Sequence, residues 1–172
     1  RNVSRETALD IIAHEPDLSY VAVSRRTAGW EELAIDGISA LQIHAPYQGS
    51  TEAELEFIES VRAVAGERQV WRAIDMTAPH GSALAAALAD AVDLLILDSG
   101  AGGTGTSFDW TTVPDEVKAK SLLAGGLNPE NLTQALRVGT AGLDINSGVE
   151  VNGRKDSALI AQAFHIIRHF TY

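Results

Sequence analysis

Asp98 ends an apolar run, Leu94 to Leu97, and four glycines follow it within residues 100–105. So short and branched a run reads as a buried strand. A buried strand that hands an acid to a glycine-rich loop is how α/β sheets present chemistry. A carboxyl in that position can serve as a general acid, with a loop-bracing or capping aspartate as the plainer reading. The glycines spell G-x-G-x-x-G, the dinucleotide fingerprint, but the context fails. Thr111 to Pro114 interrupt the helix that should open next, and the following strand ends in Gly125 and Gly126 rather than in a ribose-holding acid. Thr106 stands where a Walker lysine would be. Nucleotide binding through this loop is not expected.

Two later loops point to an anion. In LAGGLNPEN at 123–131, Gly125 and Gly126 allow close backbone approach to a ligand. Asn128 and Pro129 predict a capped helix start whose N–H groups favour negative charge, and an ordinary strand-to-helix turn has equal weight. In LDINSGVE at 143–150 a strand again runs into glycine, at Ser147 and Gly148. Barrel enzymes frequently build a phosphate site from the loops after their last two strands, so the two signals would describe one site. Asp144, beside the second loop and inside the expected strand, reads as structural rather than catalytic. His44 reads first as a satisfied rim histidine and second as a ligand contact. His165 and His169 share a helix face without acidic partners, so no metal site is expected.

The elements that must position these groups alternate. A helix opening at Ser4 carries Ala8, Ile11 and Ile12 on one stripe, followed by strands over 18–23 and 38–44 with a short helix over 30–35 between them. Thr51 and Glu54 read as a capping box for a long helix, ahead of a strand over 70–75 and an alanine-rich helix over 82–91. Further strands are expected at 94–97, 121–124 and 141–146. Asp156 is expected to cap a last helix with Ile160, Phe164 and Ile167 on one face. Six strands in strict alternation with helices or loops imply a parallel sheet under helices, the α/β class. His44, Asp75, Asp98, Gly125 and Ser147 all fall at carboxyl ends of expected strands, where such sheets place their sites.

Composition narrows the partners. The 172 residues suit one domain and carry a net charge of −10, which repels phosphate backbones, so nucleic acid is not an expected partner. There are no cysteines, which excludes disulfides and thiolate metal sites within this stretch. No apolar run approaches the roughly 20 residues of a membrane helix, and no membrane partner is expected. The opening segment lacks the apolar core of a signal peptide, and a cytoplasmic location is the expectation.

LILD at 95–98, GGTGTSFDW at 102–110, AGGLNPEN at 124–131, DINSGVE at 144–150 and GRKD at 153–156 stand in this order. Together with ALQIH at 40–44 they resemble the phosphoribosylanthranilate isomerase family of tryptophan biosynthesis, over essentially the whole chain. The resemblance implies a (β/α)8 TIM barrel. It also implies an Amadori rearrangement of N-(5′-phosphoribosyl)anthranilate to 1-(2-carboxyphenylamino)-1-deoxyribulose 5-phosphate, with no cofactor or metal. An acid assists opening of the ribose ring and a base removes the C2 proton. The resemblance puts the acid on Asp98, and the phosphate on Gly125, Gly126, Ser147 and Gly148 with Asp144 beside them. It makes Arg1 the partner of the anthranilate carboxylate, and His44, Gly102 and Gly103 further substrate contacts, the two glycines in a loop over the site.

Two departures stand out. The loop after Asp98 is short, with Thr106 and Ser107 where a lysine or glutamate often precedes threonine. The family's K-[IV]-C-G first strand, whose cysteine is the base, has no counterpart. Six strands cannot close an eight-stranded barrel. The expectation is therefore a single barrel domain over 1–172 whose first strand–helix–strand unit, and the base with it, is absent from this stretch. The competing readings are a non-catalytic phosphosugar-binding barrel fragment or paralogue, and another phosphosugar barrel enzyme of tryptophan or histidine synthesis. A monomer is the default expectation, and a barrel homodimer the alternative.

Overall fold

The computed structural model describes residues 3–100 and 107–171. Two compact units make up the chain, Arg1–Arg72 with Ala91–Asp93, and Ala73–Asp90 with Leu94–Tyr172.

In the first unit, helix α1 (Arg5–His14) starts where the Ser4 hydroxyl accepts the Thr7 N–H at 3.1 Å. Strand β1 (Tyr20–Ser24), a 3-10 turn (Trp30–Leu33), β2 (Ile38–Ile43), helix α2 (Thr51–Ala65) and the start of β3 (Gln69–Asp75) follow. β1 pairs parallel with β2, and β2 with β3, with Leu41 opposite Val70. The core gathers Ala40, Leu41, Ile43 and Val70 from the strands with Ile58, Val61 and Ala65 from α2. The short helix expected over 30–35 is a single 3-10 turn, Trp30–Leu33. α1 turns only Ala8 and Ile12 inward, while Ile11 is 46% exposed.

The expected capping box is not made. Ser50 is the N-cap, its hydroxyl accepting the Ala53 N–H at 3.2 Å. Glu54 instead faces the core, fully buried. Its carboxylate takes Nε of Arg72 at 2.9 Å, Nη2 at 2.8 Å and the Gln48 N–H at 2.9 Å. Arg72 also donates to the carbonyl of Ala45 at 2.8 Å. A buried ion pair is tolerated when its remaining hydrogen-bond capacity is used, and here the unused donors tie down the loop that follows β2.

The second unit holds the end of β3, α3 (Gly81–Leu88), β4 (Leu94–Asp98), a 3-10 turn (Trp110–Thr112) and α4 (Asp115–Lys118). β5 (Ser121–Leu123), α5 (Leu132–Arg137), β6 (Gly142–Leu143) and another 3-10 turn (Ser147–Val149) come next. The hairpin β7 (Glu150–Val151) and β8 (Arg154–Lys155) and helix α6 (Ser157–His169) complete it. β4 and β5 pair parallel, as do β5 and β6, with Ile96 opposite Leu122 and Leu123 opposite Leu143. Within each unit the strands pair in chain order, β1–β2–β3 in the first and β4–β5–β6 in the second.

Expectation and structure differ here in two places. The strand expected over 141–146 is two residues long, so Asp144 lies beyond its end and is exposed. The helix expected at Asn128 begins at Leu132, because the side chains of Asn128 and Asn131 close a turn first. Asp156 caps α6 as expected, its Oδ1 accepting the N–H groups of Ala158 and Leu159. Ala163 is buried on that helix, while Phe164 is 54% exposed.

Candidate active site

The second unit brings Asp98 and the two glycine loops together. Asp98 is half-buried at the carboxyl end of β4. Its Oδ1 accepts the Ser99 N–H at 2.7 Å and the Ser99 hydroxyl at 3.5 Å. The Met76 N–H donates to the Asp98 carbonyl at 2.8 Å, and the Ala124 N–H to the Leu97 carbonyl at 2.8 Å. These bonds hold the acid between the chain leaving β3 and the chain leaving β5.

Gly125 seals the contact. It has φ +80°, and a Cβ built on it would lie 2.6 Å from Ser99 Oγ, 2.7 Å from Ser99 N and 2.9 Å from Asp98 Oδ1. Only a residue without a side chain fits there. Gly100 also has positive φ and presses on the Asp75 carboxylate, whose Oδ1 is engaged by the N–H and hydroxyl of Thr77.

The loops at 124–131 and 146–149 meet at Gly148. A Cβ on that residue would sit 2.7 Å from the Leu127 carbonyl carbon and 2.8 Å from the Asn128 Cα. The first loop braces itself: the side-chain amides of Asn131 and Asn128 donate to the Gly126 carbonyl at 3.0 and 3.2 Å. With the carbonyl side held, the loop and cap hydrogen bonds among the described residues use none of the N–H groups of Gly125, Gly126, Ser147 or Gly148. A cluster of uncommitted backbone donors is suited to an anion. The anion-binding element is thus loop backbone, since α5 has only six residues and starts after the turn.

Asp144 borders this cluster, its N–H donating to the Leu123 carbonyl at 2.8 Å. His44 belongs to the first unit, half-buried, its N–H donating to the Ser24 carbonyl at 2.8 Å. Arg1, Gly102 and Gly103 lie outside the described residues. Beyond them, Phe108 is buried and Asp109 caps the turn at Trp110–Thr112. The Thr111 hydroxyl, then its N–H, hold the Asp109 carboxyl below its ordinary value. Among the described residues no three His, Cys, Asp or Glu side chains could hold a metal ion together.

Sequence reasoning missed Ser99, the Asn128–Asn131 brace, the Glu54–Arg72 pair and the hairpin after Val149. The hairpin had a signal: Asn152 and Gly153 form the dipeptide favoured in two-residue reverse turns. The others are long-range or loop contacts with no local pattern.

A family model described as N-(5'phosphoribosyl)anthranilate (PRA) isomerase matches residues 1–165. The chain is 57% identical to the tryptophan biosynthesis protein TrpCF of Corynebacterium glutamicum, over all of the chain and 38% of that protein. It is 37% identical to TrpCF of Salmonella typhi, over 99% of the chain and 36% of the relative. The chain therefore spans little more than a third of the length of these curated relatives. Among solved structures, phosphoribosyl anthranilate isomerase from Thermococcus kodakaraensis superposes with TM-score 0.69 at 25% identity, over 99% of the chain and 84% of the other. The 3-hexulose-6-phosphate synthase of Salmonella typhimurium gives TM-score 0.70 at 14% identity, over 96% and 81%, a likeness of α/β fold alone.

Proposed function

Because the chain belongs to the N-(5′-phosphoribosyl)anthranilate isomerase family, we propose that it carries the acid and phosphate half of that enzyme's active site. Asp98 is the general acid. It delivers a proton to the ribose ring oxygen as the C1–O bond breaks, which leaves an iminium between C1 and the anthranilate nitrogen. A base then takes the C2 proton, and the resulting enol relaxes to the ketone. The 5-phosphate rests on the N–H groups of Gly125, Gly126, Ser147 and Gly148, with Asp144 at the rim of that loop. Arg1 pairs with the anthranilate carboxylate, and His44, Gly102 and Gly103 make further substrate contacts.

The observation that carries this reading is the seat of Gly125 against both Asp98 and Ser99. The acid and the donor-rich loop are thereby at van der Waals distance. The base and the closure of the barrel belong, in this proposal, to a strand–helix–strand unit preceding α1 in the same polypeptide. Among the described residues β1 has β2 as its strand neighbour and no strand on its other side, and Leu9, Ile11, Leu18 and Val23 of the first unit are 40 to 60% exposed. A further strand and helix would cover that apolar surface.

The test is Asp98→Asn in the full-length protein, assayed on phosphoribosylanthranilate with folding checked by circular dichroism. Loss of the acid lowers kcat by about 10²–10⁴-fold with KM little changed. A folded variant that keeps its turnover removes Asp98 from this role. A wild-type protein that binds the substrate without converting it supports the non-catalytic phosphosugar binder instead.

A further inference from the structure

Lys155, on β8, commits its ammonium group to the loop 146–150. Nζ donates to the main-chain carbonyl of Asn146 at 2.8 Å and to its Oδ1 at 2.6 Å, and it pairs with Oε1 of Glu150 at 3.0 Å. A lysine ammonium has three donors, and three acceptors meet them here. The hairpin turn makes this reach possible. Asn152 and Gly153 have φ +51° and +73°, which folds β8 back along β7, and the Asp156 N–H closes on the Val149 carbonyl at 2.9 Å.

The residue so gripped directly precedes the anion loop. The Asn146 carbonyl and the Ser147 N–H belong to one planar trans peptide, so they point to opposite sides of the chain. Anchoring the oxygen on Nζ therefore aims the Ser147 N–H away from Lys155. A cation on the carbonyl also polarises the peptide, which makes that N–H a stronger donor.

We propose that Lys155 is a positioning residue for the phosphate: it acts from the far side of the 146–147 peptide, without contact to the ligand, by aiming the Ser147 N–H into the anion loop. This rests on the phosphate reading of that loop. It gives the GRKD segment a function: the glycine turns the hairpin, the lysine sets the loop and the aspartate caps α6.

The experiment compares wild type, Lys155→Met, Lys155→Arg and Asp98→Asn in the full-length protein. Readouts are inorganic phosphate affinity by calorimetry, KM, kcat and Ser147 amide hydrogen exchange. Lys155→Met should weaken phosphate binding and raise KM, each by about tenfold, with kcat within about threefold of wild type. Lys155→Arg, which keeps the charge, should recover most of both losses. Phosphate affinity and KM within about twofold of wild type in a folded Lys155→Met protein would overturn the proposal. So would a fall in kcat at unchanged KM. If Lys155→Met does not fold, Lys155→Gln takes its place with the same outcomes. Wild type that binds phosphate without turning over phosphoribosylanthranilate would strike the isomerase reading and leave the phosphate comparison standing, whereas turnover retained by Asp98→Asn would remove only Asp98 from its role. If wild type binds no phosphate, the proposal falls as well, and faster Ser147 exchange in Lys155→Met would then mark a structural clamp only.

Discussion

Gly125→Ala is the sharpest perturbation of the contact between acid and anion loop. Two effects add. The first is backbone strain: at φ +80° an L-residue costs about 1–2 kcal/mol relative to glycine. The second is collision. The new methyl would stand 2.7 Å from the Ser99 nitrogen and 2.9 Å from Asp98 Oδ1, separations that real Cβ atoms essentially never show. The Ser99 hydroxyl, at 2.6 Å, can rotate away. The Ser99 main chain and the carboxylate it bonds cannot move independently, so the acid and the loop must part by roughly half an ångström to reach ordinary contact distance. A misplacement of about 1 Å can cost 10²-fold in rate, so a loss of roughly tenfold in kcat/KM is expected. Gly139→Ala separates the two effects. Gly139 has φ +81° but nothing within 4 Å of its Cβ position, so it bears the strain alone. Steady-state kinetics and urea unfolding of both variants supply the comparison. Gly139→Ala should lose stability and keep kcat/KM, while Gly125→Ala loses both. If Gly125→Ala keeps kcat/KM within about twofold while losing the same stability, the contact has no part in catalysis and the reasoning fails.

Two further outcomes follow from other parts of the structure. Glu54→Gln leaves the buried Arg72 charge without its counter-ion and should cost about 3–5 kcal/mol in urea unfolding, and adding Arg72→Met should recover part of that loss; a double variant less stable than Glu54→Gln would show that Arg72 serves by its carbonyl bonds alone. Thr111→Val removes the hydroxyl that holds the Asp109 carboxyl low, so an NMR titration should find that group moved up toward the ordinary aspartate value. The linkage is that of a depressed acid: its contribution to stability is complete above the unfolded value and is lost as pH falls through the folded one. An unmoved titration in Thr111→Val would assign the effect to the backbone N–H instead.

What could be read from the sequence is what local chemistry encodes. The segments at 38–44, 70–75 and 94–97 read as strands, and Asp98 directly after the last is an acid at a sheet rim. Asp156 caps a helix because an aspartate before an apolar-periodic segment satisfies its first N–H groups. The glycine pairs marked the loops, and the motif order marked the family. Local pattern misled where a distant partner outbid it. Glu54 looked like the second member of a capping box, and the Arg72 guanidinium drew it into the core. Asn128 looked like a helix cap, and Asn131 closed a turn with it first. Ala141 to Asn146 looked like a strand, but only two of those residues have a pairing partner on β5. The acid-to-loop seat at Gly125 was decided by the tertiary structure alone. It depends on β4 and β5 lying side by side in register, and no spacing along the chain encodes a contact across 26 residues. So did the grip of Lys155 on Asn146, which needed a hairpin turn to bring a cation back to the peptide it orients.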